Sequence, residues 1–209
     1  MGIEGGTTLA ILDKRLDSRI LSSARAEFLT HGYQRASLRE ICKNAGVTTG
    51  AIYTRYQGKG GLFEAVIGQT INDIELLFTY DKRPNLREEN GRFFLSWLPT
   101  ADTLMAIVDF LYDHYEDFRL LLCCSAGSRY SDFLHTFIEN STQSVWNHFT
   151  KTNDERPIVV DKEELHLMLT TFWTAVFETV VHEFSREKAT DYCKVLARFF
   201  DWDALHPAL

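Results

Sequence analysis

The segment 37–62, SLREICKNAGVTTGAIYTRYQGKGGL, constrains the fold of this 209-residue chain more than any other. Ser37 stands where a helix N-cap is expected, and Glu40, three residues later, is the second member of a capping box. Apolar residues then recur at helical spacing until Gly46, which ends the helix after about two turns. Thr48 is a favourable N-cap for a short following helix. The segment therefore predicts two short helices joined by a tight glycine turn, a helix-turn-helix.

Helical periodicity also runs through the rest of the chain. Ile20, Ala24 and Phe28 lie on one face of a helix that is predicted to begin near Asp17 and to stop at Gly32. The glycine-containing first dozen residues are expected to form a mobile arm. No alternating pattern of strand length occurs, so the fold class is all-α. Further helices are predicted over 59–78, 85–98, 102–124 with a break near 116, 131–151, 161–185 and 188–201.

Composition places the chain among globular proteins, since 45% of its residues are apolar and 24% are charged. Its net charge of −7 is unevenly distributed. Residues 1–66 hold nine Lys and Arg against six Asp and Glu, a net of +3, and the remainder carries −10. A protein that binds a polyanion needs local rather than global positive charge. The N-terminal region is therefore the candidate for binding nucleic acid.

The cysteines and apolar runs indicate a cytoplasmic protein without a membrane partner. The chain has neither a secretory signal pattern nor an apolar run near the ~20 residues that a membrane span needs. Cys42, Cys123, Cys124 and Cys193 lack a regular framework spacing, which predicts free, mostly buried thiols. The histidines show no metal-ligand pairing, so we expect neither a metal nor a cofactor. The adjacent pair Cys123 and Cys124 leaves a thiol sensor as a minor alternative.

Ten or so positions of the central segment agree in order and register with a known signature. They are Ala45-Gly46-Val47, Thr48, Gly50, Tyr53, Tyr56, Lys59 and Leu62, preceded by Gly32-Tyr33. In these residues the chain resembles the TetR/AcrR family of transcriptional regulators, over about its first quarter. The resemblance implies a DNA-binding domain with an N-terminal arm over 1–58 and a larger helical domain for effector binding and dimerisation over 59–209.

The second short helix has the composition that a groove-reading helix needs. Small residues at its start suit a major groove about 12 Å wide, and a helix N-terminus favours phosphate. The resemblance implies phosphate contacts for Tyr53 and Lys59 and base or groove contacts for the other positions. The predicted DNA-binding residues are Arg39, Thr48, Thr49, Gly50, Ala51, Tyr53, Thr54, Arg55 and Lys59.

The resemblance also implies a homodimer on a palindromic double-stranded DNA operator, together with a small-molecule effector. The last two predicted helices carry the apolar stripes that would form the dimer interface, namely Leu165, Leu169, Phe172, Val176, Val180, Val195, Leu196 and Phe199. The candidate ligand-binding residues are Tyr112, Trp146, Phe149, Trp173, Phe177 and Glu178. For each candidate ligand residue, an ordinary core or surface role is the competing interpretation.

These features predict a ligand-responsive, sequence-specific transcriptional regulator, most simply a repressor that an effector releases from DNA. The alternative is a helical adaptor or small-molecule carrier that does not bind DNA. The chain shows no HExxH motif, nucleophile elbow, phosphate-binding loop or dinucleotide-binding turn, so we do not expect an enzyme.

Overall fold

The computed structural model describes residues 4–78, 101–151, 159–200 and 202–205, and within these ranges the regular structure is entirely helical. The all-α prediction is therefore confirmed. The predicted helix over 85–98 lies outside the described residues. The helices are α1 (Glu4–Arg35), α2 (Leu38–Ala45), α3 (Thr49–Tyr56), α4 (Lys59–Phe78), α5 (Ala101–Asp113), α6 (Tyr115–Cys123), α7 (Phe133–Lys151), α8 (Lys162–Val181) and α9 (Arg186–Phe199), followed by a 3₁₀ turn, Trp202–Leu205.

Helix α1 differs from the sequence prediction at its start but not at its end. It begins at Glu4 rather than near Asp17, so the expectation of a mobile arm is wrong from residue 4 onward. The run Leu9-Ala10-Ile11-Leu12 contains good helix formers, which allow the helix to extend towards the glycines. At the other end, Gly32 leaves helical geometry with φ 69° and ψ 161°.

The predicted breaks in the later helices are also observed. Helices α5 and α6 are separated at His114, close to the expected break near 116. Asp161 caps α8 in a complete capping box, because its side chain accepts from the Glu164 N–H and the Glu164 side chain accepts from the Asp161 N–H. Among the described residues, no helix is both long and apolar enough to cross a membrane.

The chain divides into two compact units. The first comprises Met1–Ile71 and Arg119–Ser131. Its core is formed by fully buried side chains of α1 to α4, with the Phe28 and Phe63 rings in an edge-on contact at 5.0 Å. The segment 119–131 joins this unit through a 2.7 Å hydrogen bond from the Tyr33 N–H to the Cys124 carbonyl. The first unit therefore consists of α2 and α3, which form the helix-turn-helix, together with α1, α4 and this segment.

The second unit comprises Asn72–Phe118 and Asp132–Leu209. Aromatic rings dominate its core, and the Trp173 Nε1–H donates to the Ser141 hydroxyl at 2.9 Å, which satisfies a fully buried polar pair. The α5 and α9 helices pack together, and Arg186 donates to the Asp109 carbonyl at 2.8 Å. The rings in this core are Phe118, Phe133, Phe137, Phe172, Trp173 and Phe177.

Candidate nucleic-acid interface

The start of α2 is held by two hydrogen bonds, one of which is not the bond that the sequence predicts. The Ser37 hydroxyl accepts from the Glu40 N–H at 3.4 Å, which confirms the N-cap. The Ser37 N–H donates to the Glu27 carboxylate of α1 at 2.9 Å. The Glu40 carboxylate instead pairs with Lys43 Nζ at 3.3 Å. The predicted capping box is therefore wrong in its second half, because a carboxylate from α1 satisfies the N–H that Glu40 was expected to bind.

The turn between α2 and α3 has the predicted geometry. Gly46 adopts the left-handed conformation, with φ 65° and ψ 41°. This conformation causes no steric strain in glycine, because glycine has no Cβ atom. The Val47 N–H donates to the Cys42 carbonyl at 2.9 Å. Thr48 is extended, and its hydroxyl accepts from the Ala51 N–H at 3.3 Å. The Gly46 C-cap of α2 and the Thr48 N-cap of α3 therefore set the direction in which α3 leaves the turn.

Helix α3 lies on the surface of the first unit and is anchored by one apolar side chain. Ile52 is its only buried residue. Its exposed residues include Thr49, Gly50, Tyr53 and Thr54, and 59% of the Tyr53 surface is accessible. A helix with this exposure can present its first turn and one full side to a large partner.

Glycines allow α3 and α4 to approach each other closely. Gly58 has φ 112°, and a Cβ atom there would stand 3.3 Å from the Tyr53 ring. A Cβ atom on Gly61, in the first turn of α4, would overlap the Tyr56 carbonyl oxygen. Gly58 and Gly61 therefore allow close packing of α3 against α4, and larger residues at these positions would push the two helices apart.

Lys59, the first residue of α4, contacts the end of α1. Its Nζ donates to the Gln34 carbonyl at 3.0 Å and to the Ala36 carbonyl at 3.2 Å. It also lies 4.9 Å from the centre of the Tyr33 ring. An ammonium group has three N–H donors, so these two bonds leave one that a phosphate could accept. Lys59 therefore has a structural role besides the predicted phosphate contact.

An acidic residue of α1 contacts the last turn of α3. Asp17 Oδ1 accepts from Arg55 Nη1 and from the Tyr56 hydroxyl, both at 3.0 Å. Both ion-pair side chains are partly exposed, 39% for Asp17 and 27% for Arg55. Sequence reasoning did not identify Asp17 or Glu27, because each partner lies ten or more residues away and depends on how the helices pack.

The structure places the predicted DNA-binding residues on α2, α3 and the first residue of α4, all within the first unit. Arg39 is exposed on the first turn of α2, whereas Ala51 and Lys59 are partly buried. The predicted base and phosphate contacts themselves stay predictions. The exposed members of the set are Arg39, Thr48, Thr49, Gly50, Tyr53, Thr54 and Arg55.

The candidate ligand-binding residues do not share a single setting. Trp173 and Phe177 are buried and stack at 5.9 Å within the aromatic core. The Tyr112 hydroxyl donates to the Phe184 carbonyl at 3.0 Å, and Glu178 pairs with His182 at 3.0 Å on the surface. Trp146 is partly buried, and the Phe149 side chain lies outside the described residues. The effector site stays a prediction.

Among the described residues of the second unit there are two open grooves that no candidate ligand residue lines. One, of about 690 Å³, lies along the start of α9 beside Phe184 and Tyr192. The other, of about 660 Å³, lies between α7 and α8 and is lined by Thr142, His166 and Leu167 among others. Within the described ranges, no group of three His, Cys, Asp or Glu side chains is placed to hold a metal ion.

The predicted dimer residues fall into two sets. Five on α8 and Leu196 on α9 are buried within one chain. The accessible surface is 0% for the five and 8% for Leu196, and the dimer interface stays a prediction. Val195 and Phe199 are exposed, with 51% and 79% of their surface accessible. The α8 residues concerned are Leu165, Leu169, Phe172, Val176 and Val180.

The four cysteines are free thiols, as predicted. Cys42, Cys124 and Cys193 are buried, and Cys123 is exposed. Desolvation by burial raises the pKa of Cys193 to about 11, and burial also raises the pKa of Cys42 and Cys124. The buried thiols are therefore neutral and unreactive groups of the core.

Comparison with known proteins places the helix-turn-helix in a family. Residues 20–66 match the model of "Bacterial regulatory proteins, tetR family". The chain is 37% identical over 68 residues to the HTH-type transcriptional regulator TtgW of Pseudomonas putida, covering 32% of this chain and 51% of TtgW. It is 42% identical over 50 residues to the HTH-type transcriptional repressor BepR of Brucella suis, covering 24% of each chain. These matches span between 24% and 51% of the relatives' length.

Solved structures extend the likeness to the whole fold. NalD of Pseudomonas aeruginosa, described as the secondary repressor of the MexAB-OprM multidrug efflux pump, superimposes with a TM-score of 0.62 at 20% identity. That match covers 91% of this chain and 99% of NalD. A TetR-family regulator from Mesorhizobium loti gives a TM-score of 0.54 at 18% identity over 93% of this chain.

The first unit is thus a helix-turn-helix domain on an all-helical chain. Residues 20–66 are similar to the tetR family of bacterial regulatory proteins, and the described helices share the fold of solved structures such as NalD.

Proposed function

We propose that this chain is a sequence-specific DNA-binding transcriptional regulator that acts on chromosomal DNA in the cytoplasm, most simply as a repressor. The exposure of α3 is the observation that carries the proposal. A helix capped at both ends, with only Ile52 buried, presents a small and polar first turn that a major groove can accept.

The distribution of charge supports the same function. The first 66 residues carry a net +3 although the whole chain carries −7. Arg39 adds an exposed cation on the first turn of α2, whereas Lys43, nearer the turn, is paired with Glu40. Positive charge around a groove-reading helix increases affinity for phosphates, so the unit suits a polyanion better than an acidic protein.

Homodimer formation is part of the proposal, because one short helix makes too few base contacts for a specific site. Large apolar side chains remain exposed on the last two helices, and their contact with water favours a covering partner. A second copy of the chain would place two α3 helices on a palindromic operator. The exposed residues are Leu167, Val181, Tyr192, Val195 and Phe199.

Response to a small-molecule effector is the remaining part of the proposal. It rests on the likeness to the tetR family alone, since the two grooves seen among the described residues are open and are lined by residues other than those predicted for a ligand. An effector would act by binding more tightly to a form of the protein that does not bind DNA.

Fluorescence anisotropy with labelled duplexes tests DNA binding directly. The probes are the DNA upstream of the chain's own gene and a duplex selected by the full-length protein from a random pool. We expect nanomolar binding to the selected duplex and much weaker binding to an unrelated duplex of equal length. A chain that binds no duplex even at low salt would contradict the proposal and favour an adaptor or carrier.

A further inference from the structure

The Asp17 carboxylate lies where it can control the charge of α3. One of its oxygens accepts from Arg55 Nη1 and from the Tyr56 hydroxyl, both at 3.0 Å. The two donors are consecutive residues at the end of the helix that is proposed to read DNA. The middle of α1 therefore contacts the end of α3 through a negative charge.

This ion pair has a consequence for binding to any polyanion. A guanidinium that neutralises a phosphate releases a counterion, and each such contact strengthens binding irrespective of sequence. Because Asp17 already neutralises the Arg55 guanidinium, a phosphate that contacts Arg55 also meets the negative charge of Asp17, and this repulsion cancels much of the gain. Because the pair is partly exposed, 39% at Asp17 and 27% at Arg55, a phosphate could reach it without unfolding the unit.

On the basis of the proposed function, we propose that Asp17 is a specificity-determining residue of the DNA-binding unit. Its carboxylate pairs with the Arg55 guanidinium and thereby weakens the attraction of Arg55 to the phosphates of unrelated DNA. Non-specific binding is thereby weaker than the exposed cations of the unit would otherwise produce. Binding to the operator depends less on Arg55, because the small residues of the first turn of α3 make the base contacts there.

The experiment compares wild type and Asp17→Asn on a duplex selected by the full-length protein and on an unrelated duplex of equal length. Affinities are measured across a series of salt concentrations. We expect Asp17→Asn to bind the unrelated duplex about 5- to 10-fold more tightly at ~0.1 M salt, with a salt slope steeper by about 0.9 per protomer. The gain on the selected duplex should be smaller, so discrimination between the two falls.

Two further variants separate this role from a general effect of charge. Glu64→Gln removes an equal negative charge from the same unit, where Glu64 pairs with Arg129. It should leave the salt slope unchanged. In an Arg55→Gln background, Asp17→Asn should no longer steepen the slope. Thermal unfolding checks that each variant folds, and Asp17→Ser replaces Asp17→Asn if the latter does not.

Each other outcome overturns the inference. If the salt slope is unchanged in Asp17→Asn or Asp17→Ser, Asp17 does not weaken the attraction of Arg55 to phosphates. A steepening that persists without Arg55, or that Glu64→Gln reproduces, would assign the effect to net charge. Equal weakening on both duplexes would make the pair purely structural. If wild type binds no duplex at low salt, the proposed function itself fails and this inference falls with it.

Discussion

The Glu27 carboxylate accepts a 2.9 Å hydrogen bond from the backbone N–H of Ser37, and so α1 supplies the N-terminal cap contact of α2. Only 10% of the Glu27 side chain is accessible. Residues ten positions apart thus fix the angle between the two helices. The local partner that the sequence offers, Glu40, contacts Lys43 instead.

We therefore expect Glu27→Ala to lower the free energy of unfolding by about 1–3 kcal/mol, because a partly buried N–H loses a charged acceptor. Glu40→Ala is the matched control, and it should cost less than about 1 kcal/mol, as expected for a surface pair and a favourable dipole interaction. Urea unfolding followed by circular dichroism measures both. Equal losses would indicate that the Glu27 bond does not hold α2.

Two glycines of α4 should respond to alanine in opposite directions. A Cβ atom on Gly61 would overlap the Tyr56 carbonyl, whereas one on Gly68 meets no atom within 4 Å. Gly61→Ala should destabilise by about 1–3 kcal/mol, since α3 must shift. Gly68→Ala should stabilise by about 0.5–1 kcal/mol, because alanine is favoured inside a helix. Thermal unfolding distinguishes the two, and a neutral Gly61→Ala would argue against the close packing of α3 against α4.

Lys59 should contribute to both stability and DNA binding. Lys59→Ala removes the donor of the Gln34 and Ala36 carbonyls, so we expect a lower unfolding temperature. It should also weaken binding to every duplex and flatten the salt slope by about 0.9 per protomer, as expected for a lost phosphate contact. Lys162→Ala, in the second unit, is the control for the loss of one positive charge. An unchanged slope for Lys59→Ala would leave Lys59 with the structural role alone.

The exposed end of α9 should determine the oligomeric state. Phe199 has 79% of its surface accessible, and burying a side chain of this size stabilises an interface by about 1.5–3 kcal/mol. Phe199→Ser should therefore shift sedimentation equilibrium towards the monomer by at least tenfold in dissociation constant. Arg198, the exposed residue before Phe199, supplies the control, because Arg198→Ser should change the monomer–dimer equilibrium little. A wild-type chain that is already monomeric at micromolar concentration would refute the proposed dimer.

Thiol alkylation should follow burial. Since burial raises the pKa of Cys193 to about 11, its thiol stays protonated at about pH 8, and only the thiolate reacts with iodoacetamide. We expect Cys123 to be modified first in the folded chain and Cys193 only upon unfolding or as the pH approaches its pKa. Peptide mass spectrometry over time provides the measurement. Rapid native modification of Cys193 would contradict its burial.

The sequence was informative wherever the relevant interaction is local. The Ser37 and Thr48 caps and the Gly46 turn were predicted because each involves backbone groups within about four residues. The break predicted near 116 is observed at His114. The register of the helix-turn-helix residues agrees with the tetR family model over residues 20–66.

Predictions failed where a second helix competes with the local partner. Glu27 replaced Glu40 at Ser37 because α1 packs across the start of α2. The apolar stripe that includes Leu165 and Phe172 is buried within one chain, and its assignment to a dimer stays a prediction. Periodicity shows which residues share a face, and it does not show which surface covers that face.

The order of amino acids alone determined the helices, their caps and the glycine turn, since these depend on dihedral preferences and hydrogen bonds between near neighbours. Tertiary structure decided which charges meet, above all the pairing of Asp17 with Arg55 and of Lys59 with the end of α1. Such pairs join residues more than twenty positions apart, and their distances are set only when the apolar faces of the helices pack together.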